Sequence, residues 1–280
     1  MTEVSSQEGS WVDPVSRRIF RYRSWRPAHV RHLVVLVHGF GEHGGRYQPF
    51  AQALAAQGLY VAVPDLWGHG RSGGRRGDLG QVENCVRQVW SMTQEVFLPT
   101  SGQTRYALFG HSFGGLAAIV WALHHPGNLR CLIVQSPLIE VGFPLPCWKT
   151  ASATLLAHVW PAFSFSLRLD VGALSRDPVV VQAYRTDPLV HGSMSVRTYY
   201  SVSRTRDEVC ARAHTLQLPV LLLCGTADRI ISVPQAQRWF DRLTCEKRSV
   251  IFPDAYHELH HETVRAEAAR LVLEWIETHA

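Results

Sequence analysis

A serine framed by glycines, at the point where an apolar run ends, is the strongest chemical signal in the sequence. The apolar run 106–109 is followed by Gly-His-Ser112-Phe113-Gly-Gly, and the segment that starts at Leu116 is typical of a buried helix. A serine hydroxyl is a poor nucleophile unless it is held clear of the backbone and offered to a base. A tight strand-to-helix turn does this, and the glycines remove Cβ atoms that would collide there. We therefore expect Ser112 to be a nucleophile, with the Phe113 amide facing the developing negative charge.

The base and the acid that such a serine needs follow two later strands. Asp228 comes after the apolar strand 220–224, and His257 comes after the strand 248–252. Taken singly, each could be an ordinary loop residue. The order Ser, Asp, His, with acid and base after successive strands, is that of the α/β-hydrolase fold. We expect His257 to take the proton of Ser112 and return it to the leaving alcohol, while Asp228 fixes the histidine tautomer.

An oxyanion hole requires two backbone amides that point at the same oxygen. Phe113 supplies one, and the loop after the apolar strand 33–37 supplies the other. In His38-Gly-Phe40-Gly the candidate is the amide of Phe40, because the neighbouring glycines permit close approach of the backbone. A simple glycine-rich turn is the alternative interpretation.

Residues 257–261 also satisfy H-E-x-x-H, the pattern of zinc metalloproteases. That pattern needs both histidines on one face of an established helix, together with a third ligand. Here His257 lies in a loop where a helix has barely begun, so we expect no metal ion and no cofactor. Glu258, His260 and His261 are interpreted as polar residues at the start of the last helix, which is predicted over about 260–278.

An alternation of strands and helices positions these groups. It indicates an α/β fold with a mostly parallel sheet flanked by helices. The β-branched run 33–37 is typical of a strand that is covered on both faces. In such sheets ligands gather beyond the carboxyl ends of the strands. Ser112, Asp228 and His257 all follow strands, so we expect them at that edge.

The alternation is interrupted in the middle of the chain. From residue 137 to 207 the strand patterns vanish and prolines recur among aromatic and aliphatic residues. We predict a cap insertion, helical in structure, that lies over the strand ends. The chain then divides into a first core part at 1–136, a cap at 137–207 and a second core part at 208–280.

Composition narrows the class of protein. The 280 residues are 46% hydrophobic and carry a formal net charge of +5, with arginines dispersed along the chain. Dispersed charge without aromatic interleaving disfavours a nucleic-acid partner. The polar N-terminus does not resemble a signal peptide, and no apolar run has the length of a membrane span. We expect a cytoplasmic protein that could also associate peripherally with membranes.

Several short segments have specific patterns besides the serine turn. They are His38-Gly-Phe-Gly-Glu-His43 with Arg46-Tyr47, Gly68-His-Gly-Arg-Ser72, Gly110-His-Ser-Phe-Gly-Gly115, Leu174-Ser-Arg-Asp-Pro178, Tyr184-Arg-Thr-Asp-Pro-Leu189, Gly225-Thr-Ala-Asp228 and Tyr256-His-Glu258. Together they resemble the monoacylglycerol lipases, which belong to the serine aminopeptidase-like and lysophospholipase branch of the α/β-hydrolases. The resemblance implies that Glu42 orients Arg46, and that Arg46, His111 and Tyr184 hold the glycerol hydroxyls. A local salt bridge for Glu42 and Arg46, and a core position for Tyr184, remain the alternatives.

These observations predict a serine ester hydrolase, and the resemblance implies a monoacylglycerol lipase that releases fatty acid and glycerol through an acyl-enzyme. A lysophospholipase or a broad carboxylesterase is the main alternative, since the same triad serves any acyl ester. A serine aminopeptidase would need a cap carboxylate such as Asp170 or Asp187 to receive an ammonium group, but the glycerol-type polar set argues against it. A non-hydrolytic receptor on the same scaffold usually loses a triad member, and all three are present.

The cap segment 154–167 carries an apolar stripe. Its members are Leu155, Leu156, Val159, Trp160, Phe163, Phe165 and Leu167. A lid of this kind would accept a fatty chain and could contact a membrane or a micelle. Packing of the cap onto the core is the alternative role of the stripe.

Overall fold

The computed structural model describes residues 3–142, 159–167 and 169–279. In these ranges eight strands form one central sheet, and two short strands pair outside it. The strands are, in chain order, β1 Val4–Val12, β2 Ile19–Pro27, β3 His32–Val37, β4 Leu59–Pro64, β5 Tyr106–His111, β6 Leu129–Gln135, β7 Ser164–Ser166, β8 Ser193–Ser195, β9 Val220–Gly225 and β10 Lys247–Phe252.

Helices follow most of the strands. The α-helices of the described ranges are α1 Gln48–Ala55, α2 Val82–Met92, α3 Leu98–Ser101, α4 Phe113–His124, α5 Pro178–Thr186, α6 Val196–Ala211, α7 Val233–Asp241 and α8 Arg265–Thr278. A π-helical turn, Thr93–Phe97, joins α2 to α3, and 3-10 turns span Gly44–Tyr47, Val171–Ala173, Ala213–Thr215 and Leu259–His261. None of the described helices combines the length and the apolar character needed to cross a bilayer.

The central sheet is mostly parallel, as predicted. Its strand order is β1-β2-β4-β3-β5-β6-β9-β10. The pairs β1–β2 and β2–β4 are antiparallel, and every other neighbouring pair is parallel. The loops after β3, β5, β9 and β10 therefore leave the sheet at one edge, where an open parallel sheet binds its ligands.

Both faces of the sheet are buried, which explains the continuous apolar runs in the sequence. Along β3, Leu33, Val35 and Val37 pack on one side with α2 and α4. Val34 and Leu36 pack on the other side with α1 and α8. Burying a large aliphatic side chain of this kind stabilises a fold by about 1.5–3 kcal/mol, so the central strands form a firm base for the loops at their ends.

The segment 137–207, which was predicted to be a helical cap, contains a short sheet in addition to helices, so the expectation that it has no strands was wrong. β7 and β8 pair antiparallel, with Phe165 opposite Met194. Each strand has only three residues, too few to show an alternating pattern in the sequence. The helices α5 and α6 lie in the predicted cap, and α6 continues past residue 207 to Ala211. Leu155 and Leu156 of the apolar stripe lie outside the described residues.

Polar contacts join the cap to the loop that follows β4. Arg197 donates from Nε to Asp78 Oδ1 over 2.6 Å, and Ser195 Oγ donates to the same oxygen over 2.9 Å. The amide of Leu79 donates to Thr198 Oγ1 over 3.0 Å. These contacts anchor the start of α6 to the loop that follows β4.

Candidate active site

The turn after β5 holds Ser112 in a strained conformation. Its φ is 54° and its ψ is −117°, although serine prefers negative φ. The amide of Ser112 donates to Gln135 O over 3.0 Å, and its carbonyl accepts from Leu138 N over 2.9 Å. A Cβ on Gly110 would lie 2.2 Å from the carbonyl oxygen of Gly114, so only glycine permits this approach of strand and helix. The turn presents Ser112 at the edge of the sheet, as its sequence predicts.

Asp228 and His257 meet at the same edge. His257 Nδ1 lies 2.7 Å from Asp228 Oδ2, and both side chains are buried. The other carboxylate oxygen, Oδ1, accepts from the amides of Ile230 over 2.8 Å and Ile231 over 3.1 Å. The carboxylate is thus fixed by its own loop and can orient the imidazole.

The pair also sets the protonation states of its members. Burial acts to lower the pKa of His257, but the charge and hydrogen bond of Asp228 outweigh it and raise that pKa above its usual value. Burial acts to raise the pKa of Asp228, but the histidine and the loop amides hold it below its usual value. The arrangement favours an ionised aspartate beside a histidine that gains a proton readily, which is what a general base requires.

Ser112 follows β5 and His257 follows β10 at the same edge of the sheet, and no hydrogen bond joins their side chains in the described structure. The backbone of His257 is tied to the adjacent strand, since Ser136 Oγ donates to His257 O over 3.0 Å. The imidazole ring of His111, the residue before Ser112, lies 4.7 Å from the ring of His257. Catalytic hydrogen bonds in a site without substrate are often long and form only when substrate binds.

The two predicted oxyanion residues face each other. Phe113 is the first residue of α4, so no carbonyl of its own helix accepts from its amide. Phe40 lies in the loop after β3, and its ring packs edge-on against the ring of Phe113 with centroids 5.9 Å apart. The loop is braced because Glu42 Oε1 accepts from Gly39 N over 2.7 Å. The two amides that the sequence nominates therefore belong to neighbouring turns at the sheet edge.

Arg46 forms a buried ion network with two glutamates. Its Nη1 and Nη2 donate to Glu258 Oε1 and Oε2 over 2.6 and 2.7 Å, and Nη1 also contacts Glu42. Tyr47 donates to Glu42 over 2.7 Å, and the ring of Tyr184 covers the guanidinium at 4.6 Å. Burial acts to raise the pKa of both glutamates, but Arg46 holds them below their usual values, so the network carries two negative charges and one positive charge.

His111 belongs to a second buried network that sequence reasoning did not find. The side-chain nitrogen of Gln135 lies 3.0 Å from His111 Nδ1 and 2.8 Å from His260 Nδ1. The ring of His260 stacks on Tyr47 at 4.4 Å. Burial, followed by the charge of His257, lowers the pKa of His111 to about 4, so this imidazole is neutral and can both donate and accept a hydrogen bond.

The interpretation of Glu258, His260 and His261 as polar residues at a helix start was wrong. Glu258 and His260 are almost fully buried, and α8 begins only at Arg265. The three residues place ligand atoms within 4.8 Å of one another. The guanidinium of Arg46 already occupies both oxygens of Glu258, so we propose no metal here.

The cap carboxylates of the aminopeptidase alternative are engaged elsewhere. Asp187 Oδ2 lies 2.8 Å from His43 Nε2, which joins α5 to the oxyanion loop. Asp170 accepts from Gly172 N over 3.1 Å and forms a long ion pair with Arg229 at 3.4 Å. Both carboxylates therefore have partners within the described structure.

Comparisons with known proteins show the family to which the chain belongs. Residues 28–264 match the family Hydrolase_4, described as serine aminopeptidase, S33. The chain is 32% identical, over 92% of both chains, to a monoacylglycerol lipase of Mycolicibacterium smegmatis. It is also 32% identical over 91% of its length to an uncharacterized abhydrolase domain-containing protein of Dictyostelium discoideum, but spans only 27% of that protein.

A solved structure extends the similarity to three dimensions. The crystal structure of a monoacylglycerol lipase from Paleococcus ferrophilus superposes with a TM-score of 0.84, at 32% identity, over 99% of this chain and 100% of the other. The fold class predicted from the sequence is thereby confirmed. The chain belongs to the Hydrolase_4 family, the serine aminopeptidases of group S33, and has the α/β-hydrolase fold.

Proposed function

We propose that this protein is a monoacylglycerol lipase that cleaves its substrate to fatty acid and glycerol with Ser112, His257 and Asp228 as the catalytic triad. The observation that carries the proposal is the 2.7 Å pair of His257 and Asp228 beside the strained turn that presents Ser112. The relatives and the similar structure that are named monoacylglycerol lipases support the substrate class.

The reaction proceeds in two halves. Ser112 Oγ attacks the ester carbonyl while His257 Nε2 takes its proton, and Asp228 stabilises the resulting imidazolium. The amides of Phe40 and Phe113 stabilise the negative oxygen of the tetrahedral intermediate. His257 then gives the proton to the leaving glycerol oxygen, and an acyl-enzyme remains on Ser112. In the second half, a water molecule that His257 deprotonates attacks the acyl-enzyme. His257 then returns the proton to Ser112 Oγ, and the fatty acid is released.

The polar residues next to the triad account for the glycerol preference. His111 directly precedes the nucleophile and is neutral, and because its Nδ1 accepts from the side-chain amide of Gln135, its Nε2–H can donate to a substrate hydroxyl. Tyr184 reaches the site from α5, and burial raises the pKa of its hydroxyl, which therefore stays protonated as a donor. Some N–H groups of Arg46 donate to Glu258 and Glu42, and its other N–H groups can donate to a substrate hydroxyl. A site built to bind hydroxyls rejects ligands that lack them.

The cap would supply the acyl pocket and a contact with lipid surfaces. Val159 and Trp160 are 75% and 61% exposed, and Phe163 lies beside them with its ring 5.4 Å from that of Trp160. Adjacent exposed apolar side chains of this kind suit a membrane or micelle surface. The division into a core at 1–136 and 208–280 and a cap at 137–207 is part of the same proposal.

The test compares kcat/KM for three esters of one acyl chain: the monoacylglycerol, the lysophosphatidylcholine and the p-nitrophenyl ester. We expect a clear preference for the monoacylglycerol over the lysophospholipid. Equal rates, or a preference for the phosphocholine ester, would instead assign a broad carboxylesterase or a lysophospholipase. Absence of turnover with all three would point to a non-hydrolytic receptor.

A further inference from the structure

Glu258 is a buried carboxylate directly next to the proposed base in the chain. It accepts two hydrogen bonds from Arg46, over 2.6 and 2.7 Å, and its own amide donates to Leu174 O over 2.9 Å. Arg46 lies 212 positions earlier, in the 3-10 turn after the oxyanion loop. A bidentate pair of this geometry fixes both partners in distance and in orientation.

The contacts of Arg46 continue into the oxyanion loop. Arg46 Nη1 contacts Glu42, and the other oxygen of Glu42 accepts from Gly39 N over 2.7 Å. Gly39 directly precedes Phe40, whose amide is the proposed oxyanion donor. One continuous series of charge-assisted contacts therefore runs from the backbone beside Phe40 to the backbone beside His257.

Stability alone is a poor reason for this arrangement. Transfer of three charged groups from water into the interior is costly, and well-packed apolar side chains of the same volume are often as stable or more so. What an ion pair adds over apolar packing is a fixed direction. The reaction needs a fixed distance between the base and the oxyanion hole, because a displacement of about 1 Å can reduce the rate about 100-fold.

We propose that Glu258 is a positioning residue of the hydrolase, which through Arg46 and Glu42 holds the loop of the base in register with the oxyanion loop. The inference rests on the proposed function and deepens it. Glu258 does not touch the reacting atoms. It acts through Arg46 on one side and through its chain neighbour His257 on the other.

The chain offers a matched control four residues later. Glu262 is also fully buried, and it accepts from Arg176 N over 2.6 Å and from Arg176 Nε over 2.9 Å. This pair ties the segment to the cap and does not touch the oxyanion loop. Glu262→Gln therefore reports the cost of weakening a buried ion pair without the change in positioning.

The experiment uses a short-chain p-nitrophenyl ester, whose leaving group offers no glycerol hydroxyls, so that a loss cannot come from weaker glycerol binding. We expect Glu258→Gln to lower kcat about 10- to 100-fold, with KM changed by less than about threefold. Glu262→Gln should keep kcat within about threefold of wild type. Thermal unfolding and titration of active sites with a fluorophosphonate establish the folded fraction of each variant.

The pH profile gives a readout that a purely structural role would not move. The negative charge of Glu258 helps to raise the pKa of His257, so Glu258→Gln should shift the acid limb of kcat/KM to lower pH. Glu258→Asp keeps the charge but shortens the reach, so it should lower kcat and leave the acid limb close to that of wild type. The charged and titratable groups around His257 are Asp228, Glu258, Glu42, Arg46, His111 and His260.

Two results would overturn the inference: a folded Glu258→Gln protein with wild-type kcat and pH profile, or an equal loss of kcat in Glu262→Gln. If Glu258→Gln does not fold, the test uses Glu258→Asp instead. A wild-type kcat in that variant would also overturn the inference. The assay also includes wild type and Ser112→Ala. An inactive wild type would refute the proposed function, whereas an active wild type with unaffected variants at position 258 would refute only the role of Glu258.

Discussion

The floor of the site and the exposed apolar residues of the proposed cap differ in how they are built. In the floor, Glu42, Arg46 and Glu258 are buried charges, each held by partners of opposite sign. On the outer cap face, Val159 and Trp160 expose apolar surface to solvent. Buried charges fix geometry, because moving one leaves another unpaired. Exposed apolar groups contribute only when a lipid surface is present, so substitutions in the two regions should differ in kind as well as in size.

The largest effect is expected at the proposed nucleophile. Ser112→Ala should lower kcat on every ester by at least about 10⁴-fold, since removal of a triad member leaves only binding and the oxyanion hole. The melting temperature should not fall, because the variant removes one hydroxyl. Steady-state hydrolysis of the monoacylglycerol measures the rate. Appreciable turnover in the variant would contradict the proposed mechanism.

Asp228→Asn should have the next largest effect, about 10³- to 10⁴-fold on kcat, because the amide no longer fixes the tautomer of His257. It should also move the acid limb of kcat/KM to lower pH. The sign follows from the raised pKa of His257: the base is inactive when protonated, so activity is lost below that pKa, and removal of the carboxylate charge lowers it. If the acid limb of kcat/KM stays in place, a group other than His257 determines it.

Tyr184→Phe tests whether the hydroxyl of Tyr184 binds the glycerol part of the substrate. Loss of one hydrogen bond to a glycerol hydroxyl should lower kcat/KM for the monoacylglycerol about 3- to 10-fold and leave the p-nitrophenyl ester unchanged. Tyr199→Phe, in the same cap but packed against Phe165, serves as the matched control and should change neither substrate. An equal loss of kcat/KM on both esters in Tyr184→Phe would mean that the tyrosine has a structural role and does not bind the glycerol hydroxyl.

The smallest effect is expected on the outer cap face. Val159→Ser and Trp160→Ser should lower the rate on monoacylglycerol in phospholipid vesicles about 3- to 10-fold, since they remove apolar surface that would enter the lipid. A monomeric short-chain ester should be unaffected. Val15→Ser is the control, because Val15 is 76% exposed, as Val159 is at 75%, but lies in the turn between β1 and β2. An equal loss in all three variants would show that Val159 and Trp160 have no specific role in membrane binding.

The same contrast explains what could be predicted from the sequence. The turn around Ser112 was predictable because its signals are local: an apolar strand, glycines at fixed spacing and an apolar helix. The positions of Asp228 and His257 at one sheet edge were predictable because both residues follow strands of a parallel sheet. These features need no knowledge of which distant residues touch.

Contacts between distant residues were not predictable in this way. Arg46 and Glu258 are separated by 212 positions, and Gln135 contacts His260 across 125 positions. No local pattern reports such a partner. The strands β7 and β8 were missed because three residues are too few for a period, and β1 because it is an edge strand whose side chains are mostly exposed and polar.

The most direct test of the central claim is covalent labelling of the nucleophile. The protein is treated with a fluorophosphonate, and its intact mass, the labelled peptide and the rate of labelling are measured. The account predicts one label per chain, located on Ser112, with a much slower rate in His257→Ala and no label in Ser112→Ala. A label on another serine, or an unchanged rate when His257 is removed, would contradict the assignment of Ser112 and His257 as nucleophile and base.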